Sequence, residues 1–478
     1  MVEGIESIRK KIEEREGGLL RALSHGQMVM MSIGSAIGTG MFLGSGFAIK
    51  LAGPGVAISF VIGAIIAYTV GLSLAEMTKI APSTGSFGNH AEIFIGRYMG
   101  FLVRYMYWFA EVFAIGADLV AASIYMSYWF PEINPVVWML VYGIALFILN
   151  SVTVKAVGTV EFILSFVKSS AIVLFIIIGS YIILRPTSFG ISYPDATYTS
   201  LLPNGLLGVW LATVVAIYSF IGVEVAGVTS GEAKNPEKDA PKALKTTLAL
   251  LTFLYVASMV VIVNIVPWSK SGVGESPFVA AFQLAGIPAA ASITNFIILT
   301  AALSGANTDL YLSSRMLFSL SRGRLAPTKL GKLNRFKVPF NAVLASMFGV
   351  AVMTFASYRY GSSASYLIAF GIAAFGGIFV WLSILVSHIA FSLRYKKMTL
   401  PLLSGAGTVL LFGVLISTAI TPGIEITIPS GISVISVLTL LYFIRYKEPA
   451  DENKIGKSKL EKMLIPLKKY VKTEKEKG

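Results

Sequence analysis

The sequence predicts an all-α integral membrane protein of about twelve spanning helices. Of its 478 residues, 55% are apolar and only 13% are charged, where a soluble domain has about 25% charged. The apolar residues gather in runs of span length, and the basic residues fall almost wholly on one side of those runs. A soluble chain this apolar would lack the polar surface to stay dispersed. Intrinsic disorder is excluded for most of the length. There is no Cys, so a disulfide scaffold is impossible, and that absence says little about compartment.

A membrane-crossing helix needs about 20 mostly apolar residues. Twelve stretches qualify: 26–50, 54–78, 99–128, 135–154, 158–184, 206–231, 243–267, 286–318, 338–357, 363–391, 400–419 and 426–446, here spans 1 to 12. They are too long for soluble strands and too continuous for amphipathic surface helices. They also lack the apolar–polar alternation of a membrane β-barrel.

Charge sets the direction of threading. With the N-terminus inside, 34 of the 39 Lys and Arg residues lie on the cytoplasmic side. The far side holds Lys50, Arg185, Lys270 and Arg359, and Lys168 is left inside span 5. Both termini are therefore expected in the cytoplasm of a multi-pass cell-membrane protein. The first two dozen residues are charged and the first apolar run is of full span length, so no cleavable signal peptide is expected. The net charge of +14 thus argues for orientation and gives no case for nucleic acid. The basic C-terminal tail is read mainly as solvated, with anionic lipid a second possibility.

Span 1 contains Gly34-Ser35-Ala36-Ile37-Gly38-Thr39-Gly40, with Gly44 and Gly46 further on. Span 6 contains Ser219-Phe220-Ile221-Gly222, then Glu224 and Gly227. These glycine-interrupted spans lie five apart and run in opposite directions, so they hold matching places in two inverted halves. Such a pair points to a transporter site at the membrane midplane. Unwinding frees N–H groups that attract a carboxylate and C=O groups that attract an ammonium, the two poles of a zwitterion. Gly34/Gly38 and Gly40/Gly44 also read as GxxxG packing motifs; the match in span 6 favours transport.

These residues resemble the amino acid–polyamine–organocation superfamily. Gly34 to Gly40 is similar to its first-span signature. Ser219 to Glu224, followed by Gly231-Glu232-Ala233-Lys234-Asn235-Pro236 and Pro241, is similar to its sixth span and the loop after it. Asp118 to Ala122 with Tyr128-Trp129-Phe130-Pro131, and Ser304 to Asn307 with Tyr311 to Leu317, resemble its amino acid permease branch, which includes lysine-specific and γ-aminobutyrate permeases. The resemblance implies a leucine-transporter-type 5+5 inverted repeat with two extra spans. The expected division is an N-terminal tail (1–24), a first repeat (25–184), a second repeat (206–391), two further spans (398–446) and a C-terminal tail (447–478). It further implies amino acid uptake by alternating access, usually coupled to protons, with no cofactor. Exchange and a transporter-like nutrient receptor stand as alternatives, and the oligomeric state is not readable.

Carried over position by position, Gly38, Thr39 and Gly40 lie at the substrate-binding break, where Thr39 and Gly40 would meet the substrate carboxylate. Carbonyls of Ala36, Tyr218 and Ile221 would face its ammonium, Phe220 would act as a gate, and Glu224 would serve gating or proton sensing. Relatives carry a lysine at Lys168 in the place of a sodium ion. An ionisable group inside a membrane is a functional candidate by default, and a desolvated lysine changes protonation state readily. Lys168 is accordingly expected to couple proton movement to substrate, near span 1 carbonyls and Ser304; a fixed counterion for a buried carboxylate is the alternative.

Glu111 and Asp118 lie seven residues apart on one face of span 3. Related permeases usually have Trp at the position of Glu111, a departure that suggests a cationic amino acid; polar contacts between helices are the alternative. Asn307 and Asp309 in span 8 are ambiguous. Glu76, Lys79 and Glu161 read as snorkelling groups, and Tyr125, Tyr128, Trp129, Trp138, Trp210 and Trp268 as interfacial anchors. His25, His90 and His388 have no metal-site spacing, and no catalytic motif is present.

Overall fold

The computed structural model describes residues 23–80, 82, 85–152, 157–189, 200–395 and 400–446. The tails 1–22 and 447–478, like the side chain of Glu161, lie outside the described residues. Each of the twelve stretches is mainly helical over its described residues, which hold no strand beyond one isolated bridge, Leu23 to Ala233. Ten helices among the described residues are long and apolar enough to cross a membrane. The difference from twelve has two sources: the second half of span 1 merges with span 2 into Gly40–Lys79, and span 4 (Pro135–Ser151) is short.

Two spans are interrupted, both where glycine clusters. Span 1 is a helix over His25–Ala36, opened by a capping box at Ser24 and Gln27, in which each side chain accepts from the other's backbone N–H. It resumes as a π turn, Gly40–Gly44, and continues as Ser45–Ala52. Span 6 is helical over Gly205–Phe220, unwinds, and resumes as Val225–Val228. Two short helices were not foreseen, Ser86–Phe94 after span 2 and Pro277–Leu284 after span 7. They too sit five spans apart.

Packing follows the same spacing. Span 3 (Arg97–Ser127) lies along span 8 (Pro288–Arg322), and span 2 (Val56–Ile80) along span 7 (Pro236–Val263). The second half of span 1 lies against the first half of span 6. Span 10 (Ser362–Tyr395) also packs on span 3, which is the most enclosed of the set. Spans 4, 5, 9, 11 and 12 form the rim. Their exposed faces carry large apolar side chains such as Ile144, Phe166, Phe355 and Leu440, as a surface solvated by lipid tails requires.

Two expectations are corrected. Tyr125 is 1% exposed inside the bundle, where its carbonyl accepts from Asn295 Nδ2, so it is no interfacial anchor. Glu76 does more than snorkel. Its Oε2 meets Nε2 of the fully buried His388 at 3.1 Å, and His388 Nδ1 meets Ser404 Oγ at 2.7 Å, which ties spans 2, 10 and 11 together.

Candidate substrate site at the paired helix breaks

The two breaks touch. Gly222 sits at φ +110°, where L side chains are strained, and a Cβ there would lie 2.7 Å from Ala36 N and 2.8 Å from Ser35 C. On the other side, a Cβ on Gly40 would come within 2.8 Å of Tyr218 Cδ1. Gly38 differs: nothing lies within 4 Å of where its Cβ would point. The sequence thus brings two unwound segments together and leaves open space beside one of them.

Unwinding would leave costly unpaired groups at this depth, and neighbouring spans supply partners for several of them. Tyr255 of span 7 donates to the Ala36 carbonyl at 3.0 Å, and Tyr366 of span 10 to the Thr39 carbonyl at 3.0 Å. Lys168 Nζ of span 5 donates to the Gly34 carbonyl at 2.9 Å. Ser276, preceding the short helix after span 7, donates to the Phe42 carbonyl at 2.7 Å. In span 6, Glu224 Oε2 accepts from Gly222 N–H at 3.0 Å and from Trp381 Nε1 of span 10 at 3.2 Å. Glu224 therefore braces the break in which it lies.

The second half of span 1 opens at Thr39 and Gly40, where the first turn of a helix leaves N–H groups without intrahelical carbonyls. The Thr39 hydroxyl donates to Asp118 Oδ1 at 2.6 Å, and Gly305 of span 8 leaves room for that carboxyl, since a Cβ there would lie 2.6 Å from Asp118 Oδ2. The Ala36 carbonyl accepts from both Tyr255 and Gly38 N–H, each at 3.0 Å; the Tyr218 carbonyl accepts from Ile221 N–H and keeps a second lone pair. Phe220 is fully buried against the Tyr255 ring, with centroids 5.1 Å apart.

Charge is unevenly distributed here. Glu111, Asp118, Glu224 and Lys168 are all buried. Asp309 of span 8 is half-buried and, with Tyr107, lies close enough to Glu111 to act on it electrostatically. Lys168 acts electrostatically on Asp118. Ser304 is buried on span 8. The structure thus draws Ala36, Thr39, Gly40, Tyr218, Ile221, Glu224, Asp118 and Lys168 around the breaks, with Glu111 further along span 3.

A family model described as amino acid permease matches residues 27–452. The chain belongs to the amino acid permease family. Among its relatives in Bacillus subtilis (strain 168), the permease is 34% identical over 469 residues to the amino-acid permease RocC, covering 94% of this chain and 100% of that one. It is 35% identical over 446 residues to a putative histidine permease, covering 89% and 94%. It is 31% identical over 451 residues to a gamma-aminobutyric acid permease, covering 91% and 96%. A crystal structure of a mutant manganese transporter from Eremococcus coleocola matches with a TM-score of 0.53 at 13% identity, covering 94% and 93%; that likeness concerns the fold alone. The permease is therefore a multi-pass membrane transporter whose substrate class is amino acids, and not an enzyme.

Tyr255, Tyr366 and Trp381 escaped the sequence reading. Their one signal is a polar aromatic deep inside an apolar run, where its O–H or N–H needs a partner; the partner is a broken backbone or its bracing carboxylate.

Proposed function

We propose that the permease is a proton-coupled importer of amino acids that favours cationic side chains and works by alternating access. The observation that carries this reading is the charge around the breaks: among the described residues, Glu111, Asp118, Glu224 and Asp309 lie there with the cation Lys168. Charge of one sign gathered in a membrane is costly, so the cluster favours ligands that bring positive charge, whether a proton or a cationic side chain. The α-carboxylate would rest on the Thr39 and Gly40 N–H groups, and the α-ammonium on the carbonyls of Ala36, Tyr218 and Ile221. Phe220 would screen the site, and Gly38 leaves the space.

Lys168 is the proposed coupling residue. It holds the Gly34 carbonyl before the break and acts on Asp118, which holds Thr39 after it. Loss of its proton would change both sides of the break at once. The proposed division is 25–184 and 206–391 as inverted repeats, with 398–446 as two added spans. Both termini are placed in the cytoplasm of a cell-membrane protein, on the strength of the basic-residue asymmetry.

The test is radiolabelled amino acid uptake into proteoliposomes, with and without an inward proton gradient, for the native chain and Lys168→Ala. The native chain should accumulate substrate uphill only with the gradient. Lys168→Ala should lose accumulation and keep exchange. Uphill uptake by the variant equal to the native chain would overturn the role of Lys168; a native chain that exchanges substrate yet never accumulates it under the proton gradient would overturn symport.

A further inference from the structure

Span 7 opens on a ladder of lysines. Lys238, Lys242 and Lys245 follow at steps of four and three residues, so they share one face of the helix Pro236–Val263. All three are exposed, and like charges at this spacing repel one another. Span 2 packs along span 7 and ends beside them, adding the exposed Lys79. These four lysines line a cleft of about 500 Å³, completed by Pro241 and Glu237. Glu237 is the one acid in that lining among the described residues. The next acids along the two helices are engaged elsewhere: Asp239 accepts from Asn235 N–H at 3.1 Å, and Glu76 meets His388 at 3.1 Å.

The basic face runs straight into an apolar one. Beyond Lys242 and Lys245, steps of four residues reach Ala249 and Phe253; both are exposed, Phe253 by 64%. From Lys238 to Lys245 the helix rises about 10 Å, enough to cross a headgroup layer of about 5–8 Å. A ligand that fits both parts carries negative charge at one end and hydrocarbon at the other. A soluble anion would use the upper part alone.

We infer that the cleft between spans 2 and 7 binds an anionic phospholipid, its phosphate held by Lys79, Lys238, Lys242 and Lys245 and its acyl chains laid along Ala249 and Phe253. The basic residues predict this end of the bundle to be cytoplasmic, the side where anionic lipids attract basic segments. Each lysine near such a surface strengthens binding about fivefold. The phosphate relieves the repulsion along span 7, and through Lys79 it ties span 7 to span 2. This site lies apart from the paired breaks and does not depend on which amino acid they carry.

The experiment is amine-reactive footprinting of the full-length protein in a nonionic detergent, titrated with phosphatidylglycerol, phosphatidylcholine or inorganic phosphate and read lysine by lysine by mass spectrometry. Phosphatidylglycerol should protect Lys79, Lys238, Lys242 and Lys245 at concentrations that leave Lys329 and Lys332 reactive; those two are exposed in the loop after span 8 and serve as controls. Phosphatidylcholine should protect none of them. The double variant Lys242→Gln/Lys245→Gln removes two exposed charges, and thermal unfolding checks that it is folded. In it, protection of Lys79 and Lys238 should need about 30-fold more phosphatidylglycerol. Equal protection of the control lysines would mean a diffuse surface effect and overturn the site, as would unchanged protection in the double variant or equal protection by phosphatidylcholine. Protection by inorganic phosphate at the same concentration as phosphatidylglycerol would overturn the lipid as occupant in favour of a soluble phosphate.

Discussion

Replacing Gly222 with Ala perturbs the meeting point of the two breaks without touching a charged group. Gly222 lies at φ +110°, and a non-glycine residue held in such a region costs about 1–3 kcal/mol. The new Cβ would also lie 2.7 Å from Ala36 N and 2.8 Å from Ser35 C. Both are backbone atoms of the other broken span, so no side-chain rotation relieves them, and such overpacking costs about 1–3 kcal/mol more. Together the two effects come to about 2–6 kcal/mol, and even the lower figure is roughly a 30-fold shift against the touching arrangement. Gly38→Ala is the matched control, because its Cβ would meet nothing within 4 Å. Thermal unfolding in nanodiscs and radiolabelled uptake in proteoliposomes read the outcome. Gly222→Ala should lower both stability and uptake, whereas Gly38→Ala should keep native stability and lose substrate affinity, since its methyl enters the open space. Native stability and uptake in Gly222→Ala would refute the reasoning, as would equal destabilisation by both variants.

Thr39→Val removes the hydroxyl that Asp118 accepts at 2.6 Å; a hydrogen bond to a charged group is worth about 1.5–3 kcal/mol, so substrate binding should weaken by roughly 10- to 150-fold in equilibrium dialysis, with Thr39→Ser largely restoring it. Glu111→Trp should abolish preference for cationic over neutral amino acids in competition uptake, and unchanged selectivity would count against a role for Glu111. Arg104 is 3% exposed and bonds Asn89 and, at 2.9 Å, Glu92 of the short helix after span 2. Arg104→Leu removes both of these bonds from a buried site and should destabilise by about 1.5–3 kcal/mol, seen as a lower unfolding temperature; an unfolding temperature equal to the native one would count against the brace.

The helical spans were legible because lipid forces each span to satisfy its own backbone, which leaves a run of about 20 apolar residues in the sequence. The places of the breaks were legible for a related reason: Gly40 and Gly222 stand where a Cβ would collide with the facing span, and Gly38 borders open space. The short helices Ser86–Phe94 and Pro277–Leu284 left no such mark, being too brief for a periodic signal. Glu76 was misread because its partner, His388, lies more than three hundred residues away in the chain.

Composition, span length and basic-residue asymmetry determine by themselves that this chain lives in a membrane and which way it is expected to thread. These properties depend on transfer of single segments between water and lipid, and each segment carries its own record of it. Which carbonyl Tyr255 and Tyr366 hold, that Trp381 meets the carboxylate bracing span 6, and that Lys168 reaches Gly34 were decided only by the packing of spans distant in sequence. Unpaired polar groups in lipid must find partners wherever the fold brings them, and no local pattern records which partner that is.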